Sequence, residues 1–77
     1  MNITLKLYTI LRKYLPSDIE NGVLTVANNL KVNDIIDILK IPEDLPKIIL
    51  INGEQKQPEF ELSDGDELSI FPPISGG

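Results

Sequence analysis

The nine residues VNDIIDILK, positions 32–40, are where the period of this sequence changes. Val32, Ile35, Ile36 and Leu39 fall at i, i+3, i+4 and i+7, with Asn33, Asp34 and Asp37 on the opposite side. That spacing predicts an amphipathic helix with a single apolar stripe. Asp34 in the first turn and Lys40 in the last both suit the helix dipole, and Pro42 marks a stop just beyond Ile41. Lys31, which carries no acceptor atom, is a poor N-cap.

Outward from this helix, in both directions, the period is two. Toward the N-terminus, NITLKLY (residues 2–8) sets Ile3, Leu5 and Leu7 against Thr4, Lys6 and Tyr8, the alternation of a half-buried strand. TILRKYL (9–15) pairs Ile10 with Tyr14 and Leu11 with Leu15 at i,i+4, predicting a short helix or helical turn that ends before Pro16. PSDIENG (16–22) reads as a loop, and VLTVAN (23–28) as a second strand. That strand is antiparallel to the first, since the segment between them is too brief for a βαβ crossover.

Beyond the helix, KIILIN (47–52) has apolar residues at both parities, which predicts a strand covered on two sides. Asn52-Gly53 favours a type I′ hairpin turn and makes EQKQ (54–57) a short polar edge strand. PEFEL (58–62) is irregular with Phe60 and Leu62 inward, and SDGD (63–66) is a turn. ELSIF (67–71) closes the series with Leu68 and Ile70 toward the core and Glu67, Ser69 and Phe71 on the other face. The expectation is one α+β domain over residues 1–71, a mixed sheet of four to five strands with one main helix across it. This order suits a β-grasp layout. Residues 72–77 form an extended tail outside it.

Composition removes whole classes of function. The chain has 77 residues, no cysteine and no histidine, so the commonest nucleophile and the commonest general base are both missing. Twelve acidic against seven basic residues give a net charge of -5, the wrong sign for a phosphate backbone, and nucleic acid is not expected as a partner. No apolar run approaches the roughly 20 residues of a membrane span, so the expected compartment is the cytoplasm with no membrane contact. Asp64 and Asp66 are the tightest carboxylate pair, but SDGDE lacks the ligand spacing of a calcium loop and reads as turn chemistry. Arg12 and Lys13, near Tyr8, read either as a solvated face or as a small docking patch for a partner's carboxylates.

The ending FPPISGG (71–77) is what remains. Pro72 and Pro73 cannot donate to a sheet ladder and hold φ near about -65°, so they end the last strand and project an extended tail. Five residues beyond Pro72 reach at most about 18 Å. Ile74, Ser75, Gly76 and Gly77 narrow toward the end, a shape that threads a channel in another protein and presents the Gly77 carboxylate there. That carboxylate is a nucleophile toward the α-phosphate of ATP if a partner supplies nucleotide and magnesium. Phe71, on the outer face beside the tail, either anchors docking or packs against the 9–15 segment. A frayed end without chemistry is the other reading of the same residues.

LSDGDELSIFPPISGG (62–77), with IILINGE (48–54) before it and LYTILRKYL (7–15) after the first strand, resembles the MoaD/ThiS sulfur-carrier family, most of all the small subunit of molybdopterin synthase. The resemblance runs over essentially the whole chain. It implies a ubiquitin-like β-grasp fold, no catalysis by the chain itself, and no cofactor bound by it. It further implies that Gly77 is adenylated by a ubiquitin-activating-type (MoeB-like) enzyme using ATP and magnesium, then thiocarboxylated with sulfur from a cysteine desulfurase or rhodanese. Inserted into the large (MoaE-like) subunit, the tail would pass its sulfur to precursor Z for molybdenum or tungsten cofactor. Pro72, Pro73, Ile74, Ser75 and Gly76 are then the threading arm, and Tyr8, Arg12 and Phe71 the docking surface. Sulfur donation for thiamine thiazole, or conjugation to protein lysines, are the alternatives of the same chemistry. Gln55 departs from the pattern, lying where related carriers place an apolar interface residue.

Overall fold

Fourteen apolar side chains, from Ile3 to Ile70, are buried together between one helix and one face of a sheet. The computed structural model describes residues 1–16 and 22–73. Its elements are β1 (Asn2–Leu7), a 3-10 segment (Thr9–Tyr14), β2 (Val23–Thr25), α1 (Val32–Leu39), β3 (Ile48–Ile51), β4 (Glu54–Gln55) and β5 (Glu67–Phe71). The strands form one mixed sheet in the order β2-β1-β5-β3-β4. β1 and β5 run parallel at the centre, and the other pairs are antiparallel. The expected α+β architecture is what forms, with five strands.

The helix is where the spacing placed it. Val32, Ile35, Ile36 and Leu39 are all buried. Asp34 compensates for the poor cap: its carboxylate accepts the Lys31 N–H at 2.8 Å, while the Lys31 carbonyl accepts the Asp34 N–H at 3.0 Å. At the other end the expectation for Lys40 is corrected. It lies just past the helix, in the left-handed conformation at φ 62°. Its N–H donates to the Asp37 carbonyl at 3.1 Å, and the Ile41 N–H to that of Ile36 at 3.1 Å. This is a Schellman ending, with buried Ile36 and Ile41 as its apolar pair.

Register brings the buried faces together. Leu5 is opposite Leu68 and Leu7 opposite Ile70, while Ile49 and Ile51 flank Ile70 and Leu68 from the other side. β3 is corrected in one respect: Ile49 and Ile51 are buried, but Ile48 and Leu50 are only half-buried. Among the described residues, one α-helix covers one side of the sheet and no element lies over the other. β2 stops at Thr25, short of the expected span, ahead of a turn in which Asn29 takes φ 66°. The 9–15 segment winds as a 3-10 helix, with the Leu11 N–H donating to Tyr8 and that of Leu15 to Arg12. Three residues per turn align Leu11 with Tyr14, so the expected i,i+4 pairs do not form the buried stripe. Leu11 is buried, Tyr14 half-buried and Ile10 62% exposed.

Asp64 and Asp66 are turn chemistry, as read. Asp66 accepts the Ser63 N–H at 2.8 Å, Asp64 accepts the Asn2 N–H at 2.7 Å, and Gly65 at φ 88° donates its N–H to the Asn2 carbonyl at 2.8 Å. Leu62 is buried, and Phe60 packs half-buried against the core under Lys56, whose ammonium lies 5.2 Å from the ring centre. The loop expected over 16–22 falls largely outside the described residues, as do positions 74–77.

Candidate docking face

The face of the sheet away from α1 is built by the outward parity of three strands. In register across it run Gln55, Leu50, Ser69 and Lys6, and beside that row lie Ile48 and Phe71. Its two ends differ in chemistry. Near the start of β5, Lys6 and Glu67 form an ion pair at 3.4 Å, both partly in water. Near the end of β5 the face turns apolar.

Tyr8 reaches that apolar end because β1 continues its parallel ladder by one bond, the Tyr8 N–H donating to the Ile70 carbonyl at 3.2 Å. The Tyr8 ring then meets Phe71 edge to face, with centroids 5.8 Å apart and planes at 86°. This geometry is favourable between the ring edge of one and the π-face of the other, and it holds both rings in place. Tyr8, Thr9, Leu50, Ser69, Phe71 and Pro72 line a shallow depression of about 360 Å³. Ser69, 8% exposed, is its small floor. Tyr8 remains 43% exposed at the rim.

The backbone is strained where this rim is made. Thr9 has φ 50°, a value β-branched residues avoid, at the reversal from β1 into the 3-10 segment. Arg12 is exposed and does not line the depression. Lys13 instead lies 5.4 Å from the Tyr14 ring centre.

Of the residues singled out from sequence, Tyr8, Phe71 and Pro72 are brought together, and exposed Pro73 follows directly. Ile74, Ser75, Gly76 and Gly77 lie outside the described residues. Leu50, Ser69 and Thr9 were not singled out. The signal for the first two was the parity opposite Ile49, Ile51, Leu68 and Ile70; Thr9 carries none, because its role depends on backbone conformation. Phe71 packs edge to face on Tyr8, the residue before the 3-10 segment, and lines the depression beside Thr9. What the face offers is contact: two aromatic rings, aliphatic surface and a small polar floor, beside the point where the strand gives way to two prolines.

A family model described as the ThiS family matches residues 6–77. The chain belongs to the ThiS family. Its members are small ubiquitin-like sulfur carriers, and the five-stranded sheet with one helix is their β-grasp. This ThiS-family chain is similar to SAMP1 from Haloferax volcanii, at 25% identity over 100% of both chains with a TM-score of 0.74. It is similar also to a chain in the complex of subunits 1 and 2 of molybdopterin-converting factor from Helicobacter pylori 26695, at 25% identity over 100% of both chains with a TM-score of 0.61. No curated protein sequence matches it significantly. Among the described residues, no helix of this ThiS-family protein is long and apolar enough to cross a membrane.

Proposed function

We propose that this chain is the sulfur-carrying small subunit of a molybdopterin synthase, working through the C-terminal carboxylate of Gly77. The observation that carries the reading is the apolar depression of Tyr8, Leu50 and Phe71 at the end of β5, immediately before Pro72 and Pro73. A partner seated there lies within reach of everything the tail presents, since the residues beyond Pro72 span at most about 18 Å. The similarity to one subunit of a two-subunit molybdopterin-converting factor supports a large-subunit partner.

The chemistry needs nothing from the folded domain beyond presentation. In a ubiquitin-activating-type partner, which supplies ATP and magnesium, a Gly77 carboxylate oxygen attacks the α-phosphate and pyrophosphate leaves. A persulfide carried by a desulfurase or rhodanese then displaces AMP from the acyl-adenylate to give an acyl disulfide, and a second partner thiol attacks its S–S bond, forming a disulfide between the two partner sulfurs and releasing the Gly77 thiocarboxylate. In the large subunit that sulfur passes to the pterin precursor, and the carboxylate returns when water supplies the missing oxygen. Glycine at the last two positions keeps β-carbons out of the channel at each stage.

Intact-mass measurement on the protein from its native cell tests this. The expected result is a population in which one oxygen of Gly77 is replaced by sulfur; an unmodified end during active cofactor synthesis would refute it. Deleting Gly77 should abolish sulfur transfer to the precursor with the fold unchanged. A second reading is favoured by the similarity to SAMP1, named as a small archaeal modifier protein: conjugation of Gly77 to lysine amines. Glycine remnants on the lysines of other proteins would be its mark. The family model equally accommodates sulfur delivery for thiazole synthesis, separated by which pathway stalls when the chain is removed.

A further inference from the structure

Asn52 ties together two turns that are distant in sequence. Its Nδ2 donates to Asp66 Oδ1 at 3.0 Å, its Oδ1 accepts the Glu67 N–H at 2.9 Å, and its own N–H donates to the Glu67 carbonyl at 2.9 Å. The second Asp66 oxygen accepts the Ser63 N–H at 2.8 Å, and the Asp66 carbonyl accepts the Thr4 N–H at 3.0 Å. The amide therefore works as donor and acceptor at once, at the start of β5 where the parallel pairing with β1 begins. Asn52 is exposed, takes φ 52°, and precedes Gly53 at φ 88°, which has no heavy atom within 4 Å of where a Cβ would stand. The Asn52 side chain is held by its hydrogen bonds to Asp66 and to the Glu67 N–H.

We propose that Asn52-Gly53 is a covalent modification site, a deamidation switch held shut by Asp66. When the contact to Asp66 opens, the Gly53 backbone nitrogen loses its proton to solvent and attacks Cγ of Asn52. A C–N bond forms, the bond from Cγ to Nδ2 breaks, and nitrogen leaves as ammonia after taking a proton from water. Water then opens the cyclic imide at either carbonyl, leaving aspartate or its β-linked isomer at position 52. One water is consumed, one ammonia is released, and no oxidant or reductant is involved. The new carboxylate has no donor for Asp66 and faces it as a like charge, so the turn does not reclose as before. The step is irreversible. It loosens the central strand pair at the end of β5 away from the apolar depression, whatever the tail does.

Two measurements decide it. The protein is incubated at mildly alkaline pH, natively and in urea, and the mass gain of an amide becoming a carboxylate is mapped by peptide. Conversion at Asn52 is expected to be at least about tenfold slower natively than in urea, with Asp66→Ala recovering most of the difference under native conditions. A native rate equal to the urea rate, or an unchanged rate in Asp66→Ala, overturns the gating; conversion confined to other asparagines overturns the site. Separately, Asn52→Asp should lower Tm by about 4–8 °C. Adding Asp66→Asn should restore most of that loss, because the swapped pair again matches one donor to one acceptor and leaves an oxygen for the Ser63 N–H. No loss in the single variant, or no recovery in the double, also overturns the proposal.

Discussion

Phe71 owes its position to two features of its own sequence neighbourhood and one that lies far away. Alternation in ELSIF sends it to the face opposite Ile70, and Pro72 ends the strand directly after it. Tyr8, from the opposite end of the chain, then fixes the ring at 5.8 Å. A half-buried aromatic lining the proposed docking depression is the kind of residue whose truncation costs binding most. Phe71→Ala is expected to weaken the complex with the large subunit of the proposed synthase by about 2 kcal/mol, roughly thirtyfold in Kd. Titration calorimetry against that subunit reads this, and a Kd within threefold of the parent would remove Phe71 from the interface. Gln55 bounds the depression's strand row with an amide, so any apolar patch on the partner should stop there.

At the scale of the element, the two ends of α1 are solved by different means. At the N-terminal end the Asp34 carboxylate accepts the Lys31 N–H, and the presence of an acid in the first turn, though not this bond, was legible in the sequence. The C-terminal end was not legible. A lysine near a helix end suggests dipole pairing, but Lys40 is held in the left-handed region at φ 62° because Ile41 must turn back to cover Ile36. A non-glycine residue in that conformation costs about 1–2 kcal/mol, partly offset by the entropy glycine gives up on folding. Lys40→Gly should therefore stabilise the domain by up to about 1 kcal/mol, a rise of a few degrees in Tm by calorimetry. A fall in Tm would show that Lys40 contributes a contact larger than its strain. The 3-10 segment was ambiguous for a related reason: over six residues, apolar spacings of three and four overlap, and only burial of Leu11 decides which hydrogen bonds form.

For the whole molecule, stability rests on a small core. A chain of 77 residues has a net folding free energy of only about 4–12 kcal/mol at typical values per residue. Leu68 is fully buried, paired with Leu5 on one side and Ile51 on the other at the middle of the sheet. Leu68→Ala should cost about 2–5 kcal/mol, a large fraction of the whole, visible as a lowered urea midpoint. Lys6→Ala, which removes the half-exposed partner of Glu67, should cost no more than about 1 kcal/mol. If the two substitutions cost the same, the core described above is not what holds the fold.

The sequence by itself determined the parts that neighbours within a few residues control: the helix stripe of Val32, Ile35, Ile36 and Leu39, the inward parity of Ile3, Leu5, Leu68 and Ile70, the turns at Asn52-Gly53 and Asp64-Gly65, and the proline exit. Periodicity and backbone preference are local properties, so they can be read locally. Only the tertiary structure decided that β1 and β5 lie side by side in parallel, that Tyr8 therefore meets Phe71 over Ser69, that Ile48 and Leu50 face an open side, and that Asn52 reaches Asp66. Those facts depend on strand order and register between segments far apart in the chain. No local pattern sets them; they are fixed when a single apolar face has to close over a single helix.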